Sequence, residues 1–139
     1  MFNHCESIAD LNVSTWDMSK VTDCSLMFQA CYQLPEIDLS KWVLSNVVNM
    51  NSMFYKDLKL ISLDVGSWNI INATNFNQMF VGCSSLTSLN GLGNWVTTNG
   101  TIFSNLFNGC SALMELDLSN FDTDKATTMT GFFDGLNSI

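Results

Sequence analysis

His4 is the only histidine in the chain, so a Ser-His-Asp or Cys-His nucleophile would have to use it. It stands in a terminal half-turn beside Cys5, without a rigid element to hold it. No CxxC pair is present for zinc or redox work, and Gly91-Leu92-Gly93 does not extend to GxGxxG because Val96 fills the last place. Asp122-Thr123-Asp124 begins as a calcium loop does, but Ala126 occupies the fifth place. These residues predict no catalytic group, no cofactor and no resident metal, and the chain reads as a non-enzyme. What remains is a set of carboxylates at regular spacing. Asp10, Glu36, Ser62, Ser88 and Glu115 form one series and Asn12, Asp38, Asp64, Asn90 and Asp117 a second, with six carboxylates among these ten residues and no lysine.

That spacing belongs to a tandem repeat. Phe2, Phe28, Phe54, Phe80, Phe107 and Phe133 follow one another at 26 residues, with a single step of 27, and Trp16, Trp42, Trp68, Trp95 and Phe121 keep the same count. The longer step places one inserted residue within Asn90-Gly91-Leu92-Gly93-Asn94, where a bulge or tighter corner is expected. A fixed period of this kind means that a unit buries its apolar face only by stacking on its neighbours. The expected layout is one domain over 1–139, with turns at about 8–33, 34–59, 60–85, 86–112 and 113–138.

Within one turn, Leu60, Leu63 and Val65 alternate as a short strand would, with Ser62 and Asp64 facing outward. The stretch NFNQMFVGCSSL, residues 75–86, has its apolar residues at helical spacing: Ala73, Phe76, Met79, Phe80 and Cys83 predict one stripe of a short helix. Thr74 is its expected N-cap and Gly82 its left-handed closing residue, whereas Ala30 and Lys56, in the column of Gly82, should close their turns differently. Strands stacking at about 4.8 Å and helices at about 8–10 Å would curve the stack with its sheet on the concave side. Cys5, Cys31, Cys83 and Cys110 share a column in which such helical spacing forbids disulfides, so free buried thiols are expected.

The pattern LxxLxLSxW…VxxMxxMFxxCxxL resembles the repeat of BspA-type leucine-rich repeat surface proteins over the whole chain. The resemblance implies an α/β right-handed leucine-rich-repeat-like solenoid, five turns of short parallel strand plus short helix, and attachment at a cell surface or outside the cell. It carries no catalytic residues.

The functional expectation is accordingly a non-enzymatic surface or extracellular adhesion module, with a protein or glycan ligand on the acidic face. The alternative is a structural protomer of a fibre built by end-to-end stacking. The stripe itself has two readings. Asx and Ser side chains satisfy turn amides and keep a sheet face soluble, or the stacked carboxylates recognise a basic partner or collect Ca²⁺. Net charge is −8 with five lysines and no arginine, which excludes a basic nucleic-acid interface. No run of about 18 apolar residues is present, so this segment is not expected to insert in a membrane. Of the sequons at Asn12, Asn72 and Asn99, the last two lie in an exposed corner and are the candidate glycan sites. Apolar residues continue to both ends, at Met1 and Phe2 and at Met129, Phe132, Phe133, Leu136 and Ile139, which predicts a segment of a longer array or a homo-oligomer joined through its end faces.

Overall fold

The computed structural model describes residues 4–139. Among them the regular elements are two three-residue strands, β1 at Ser62–Asp64 and β2 at Ser88–Asn90, and one 3-10 turn at Leu92–Asn94. The strands pair in parallel, Ser62 with Ser88, Leu63 with Leu89 and Asp64 with Asn90. Single parallel bridges link Asp23, Asn49, Asn75, Ile102 and Thr128 in succession. The chain is thus a pile of hydrogen-bonded repeats made mostly of turns and loops. An α/β solenoid of five strand-plus-helix turns is not what forms, because no described residue is α-helical.

Residues 75–83 show why the helix is absent. Asn75 Oδ1 accepts the amide of Asn77 at 3.0 Å, starting the segment as an Asx turn. From there the amides divide by parity. Those of Phe76, Gln78, Phe80 and Gly82 donate to Ile102, Ser104, Leu106 and Asn108 of the next repeat at 2.7–3.0 Å. Those of Met79, Val81 and Cys83 close overlapping turns on the carbonyls three residues back at 3.1–3.3 Å. Gln78 (φ 57°) and Gly82 (φ 70°), the third residues of the turns closed by Met79 and Cys83, lie in the left-handed region as a type II turn requires, and a helix cannot pass through them.

The capping residues change meaning with this. Thr74 caps nothing; its hydroxyl lies 3.4 Å from the Val48 carbonyl of the preceding repeat, and Thr101 and Thr127 likewise donate one repeat back. Gly82 is left-handed as expected, but Ala30 (φ 60°) and Lys56 (φ 61°) adopt the same conformation and close their turns in the same way. The cross-repeat hydrogen bonds prevail over a local cost of about 1–2 kcal/mol per non-glycine residue in this region.

Both sides of the pile are therefore spaced by backbone hydrogen bonds. The strand side continues through Ile61 to Pro35 and Thr87 to Ile61, at 3.0 and 2.8 Å. With no helices to hold one side apart, the predicted concave curvature loses its cause.

The apolar columns lie where their spacing placed them. Phe28, Phe54, Phe80 and Phe107 stack with centroids 5.4, 5.5 and 5.8 Å apart. Trp42, Trp68 and Trp95 are buried, and their indole nitrogens donate to Val13, Leu39 and Val65 carbonyls of the preceding repeat at 3.2–3.4 Å. The tryptophan column is thus both core and inter-repeat bond. Cys24, Cys31, Cys83 and Cys110 are buried thiols outside any disulfide and Cys5 is half-buried. Helical spacing is not what keeps them apart: Cys83 and Cys110 turn their Sγ to the carbonyls of Phe54 and Phe80, at 3.0 and 3.1 Å.

Candidate functional site

The two outward columns follow from strand alternation. In β1 the buried Leu63 separates Ser62 from Asp64, and in β2 Leu89 separates Ser88 from Asn90. The same order places Asp10, Asn12, Glu36, Asp38, Asp64, Asn90, Glu115 and Asp117 at exposed positions, with Ser62 and Ser88 half-buried. Asp10, Asn12, Glu36, Asp38, Ser62, Asp64 and Asn90 line one groove of about 530 Å³, floored by Leu11, Val13 and Ile37. Glu115 and Asp117 lie instead in a second hollow of about 380 Å³, which meets the first at Asn90.

The inserted residue lies between them. Gly91 is left-handed (φ 77°) and leads into the 3-10 turn Leu92–Asn94, so the extra residue is taken up as a tighter corner. A Cβ on Gly93 would lie 2.2 Å from the Asp117 carboxylate, which shows how closely the fifth repeat passes. Nothing in the regular spacing alone divides the stripe; the step of 27 in the repeat was the available signal.

One oxygen of each carboxylate in the column of Asp38, Asp64 and Asp117 is committed to structure. Asp38 Oδ1 accepts the amide and hydroxyl of Ser40 at 3.0 and 2.6 Å, Asp64 Oδ1 the Gly66 amide at 3.0 Å, and Asp117 Oδ1 the Ser119 amide at 3.0 Å. Asn12 does the same with Ser14. Hydrogen bonding from Ser40 holds Asp38 below the usual carboxylate range, with Lys41 a minor contributor, and Ser119 does so for Asp117. These groups are anchored Asx turns at exposed positions. Among the described residues no three His, Cys, Asp or Glu side chains converge as a metal site requires.

The other predicted positions are also placed. Asn72 Nδ2 donates to the Ser45 carbonyl at 2.8 Å and Asn99 Nδ2 to the Ile71 carbonyl at 2.9 Å, so the nitrogen a glycan would use serves as an inter-repeat bond. His4 Nδ1 lies 4.0 Å from Glu6 on the surface. At the far end Met129, Phe133 and Ile139 are exposed and Leu136 is half-buried, while Phe132 is buried with Phe103, Phe107 and Phe121 around it. Met1 and Phe2 lie outside the described residues. No helix of the described residues is long and apolar enough to cross a membrane.

No curated protein and no solved structure matches the chain. One family does, in two overlapping matches over residues 1–99 and 84–139 that together span the sequence. The chain belongs to that family, described as Mycoplasma protein of unknown function, DUF285.

Proposed function

We propose that the chain is a non-enzymatic binding module of the cell-surface kind, whose acidic groove takes an extended, lysine- or arginine-bearing segment of a protein partner. The observation that carries this reading is the groove itself. Asp10, Glu36, Asp38 and Asp64 surround an apolar floor, and no lysine lines it. Clefts lined by one sign of charge attract and orient oppositely charged partners. The regular repeat suits a segment whose basic residues recur along its length. Placement at the cell surface rests on the likeness to BspA-type repeats, with which membership of this repeat family is compatible.

The test is titration of a lysine-rich peptide against the parent chain and a Glu36→Gln, Asp38→Asn, Asp64→Asn triple variant. The two asparagines keep the turn-holding oxygen that Asn12 already supplies in this column. A second variant, Asp17→Asn, Asp122→Asn, Asp124→Asn, removes equal charge outside the groove. Affinity falling at least tenfold only in the groove variant supports the reading; equal losses in the two variants would reject it.

A second reading, end-to-end association of copies, is favoured by one observation. The amides of Met129, Gly131, Phe133 and Gly135 occupy the columns that donate to the following repeat elsewhere in the pile, and they have no acceptor among the described residues. Unpaired backbone edges of this kind pair with a further repeat or with another chain.

A further inference from the structure

The column three places after Phe2, Phe28, Phe54, Phe80, Phe107 and Phe133 holds Cys5, Cys31, Asp57, Cys83, Cys110 and Leu136. Asp57 is therefore a carboxyl in a file of thiols, and it is 1% exposed. Its Oδ1 accepts the Cys31 amide of the preceding repeat at 2.8 Å. In the following repeat, the Cys83 thiol donates to the Phe54 carbonyl at 3.0 Å. Both facing thiols are neutral, since burial pushes Cys31 up to about 12 and Cys83 well above its ordinary value. The nearby lysines are engaged elsewhere: Lys56 Nζ lies 5.3 Å over the Tyr55 ring and Lys59 Nζ is 2.6 Å from Gln33 Oε1. Among the described residues no cation pairs with Asp57. A carboxylate so placed is destabilised by lost hydration that one amide only partly replaces.

We propose that Asp57 makes a pH-sensitive seam in the pile. Neutral, it substitutes for the thiol of its column and satisfies Cys31; ionised, it leaves an uncompensated charge where repeat 34–59 meets repeat 8–33, and that junction opens first. Burial supports this by pushing the carboxyl up to about 8, against an ordinary value of 3.8. The sign follows from linkage. Between those two values the unfolded chain has released a proton that the folded chain still holds, so rising pH favours unfolding. The folding equilibrium constant should fall about tenfold per pH unit across that window through this group.

The experiment is urea unfolding of the full chain from pH 4.5 to 8.5, for the parent, Asp57→Asn and Asp57→Cys. Asn keeps the acceptor for Cys31, and Cys restores the residue of the column. Both variants should lack the roughly tenfold-per-unit fall seen in the parent. Amide exchange localises the effect, after correction for base catalysis. Protection of Ala30, bonded across the junction to Tyr55, should decline with pH ahead of that of Gly82, bonded to Asn108. Equal pH slopes in parent and variants would overturn the seam, and so would identical decline of the two amides in the parent.

Discussion

Replacing Phe80 with alanine tests the central claim that the repeats share one stacked core. Phe80 is fully buried, and its ring lies between Phe54 at 5.5 Å and Phe107 at 5.8 Å, tilted by 5° and 4°. Truncating a buried phenylalanine costs about 3–5 kcal/mol in lost transfer energy and cavity formation. Two stacked partners are lost together, each pair worth about 0.5–1.5 kcal/mol beyond its area, which places the expected cost near the top of that range. The cavity would be bounded above and below by rings whose own backbones are hydrogen-bonded to their neighbours, so little collapse can relieve it. Phe133→Ala is the internal comparison: the same column, but 56% exposed, with an expected loss below about 1 kcal/mol. Equilibrium urea denaturation of both variants under identical conditions gives the difference directly. Losses of equal size, or a Phe80→Ala cost under about 1 kcal/mol, would refute the stacked column as the source of stability.

Two further outcomes are expected. An alanine Cβ at Gly91 would meet the Gly66 Cα at 2.3 Å, whereas at Gly82 it would meet Lys56 Cγ at 3.3 Å and Lys56 Cα at 3.9 Å, in a column where Ala30 already stands. Gly82→Ala should therefore cost about 1 kcal/mol and Gly91→Ala clearly more; comparable urea midpoints would count against the close approach at the inserted corner. For end-to-end association, sedimentation of the chain should show mass rising with concentration, and Phe133→Lys should suppress it. A parent that stays monomeric throughout would dispose of that reading.

The stripe Ala73, Phe76, Met79, Phe80 and Cys83 was legible as one buried face, and all five residues are fully buried. So were the aromatic columns, the outward Ser62 and Asp64, and the inserted corner at residues 90–94. Burial in a pile is set by position within the period, and period is a property of the sequence alone. The conformation of the stripe was not legible. A run of overlapping turns returns side chains to the same face every three or four residues, as a helix does, so apolar spacing cannot tell them apart. The two differ in where the amides of Phe76, Gln78, Phe80 and Gly82 go, and their acceptors, Ile102 through Asn108, lie in the next repeat. Asp57 is a parallel case: in the sequence it is, with Leu136, a departure from a cysteine column, and only the packing of its neighbours makes it a buried carboxyl held by the Cys31 amide. The sequence by itself determined which residues face inward and how often. The tertiary structure decided what backbone joins them, because the bonds that select it form between residues 25 to 26 apart.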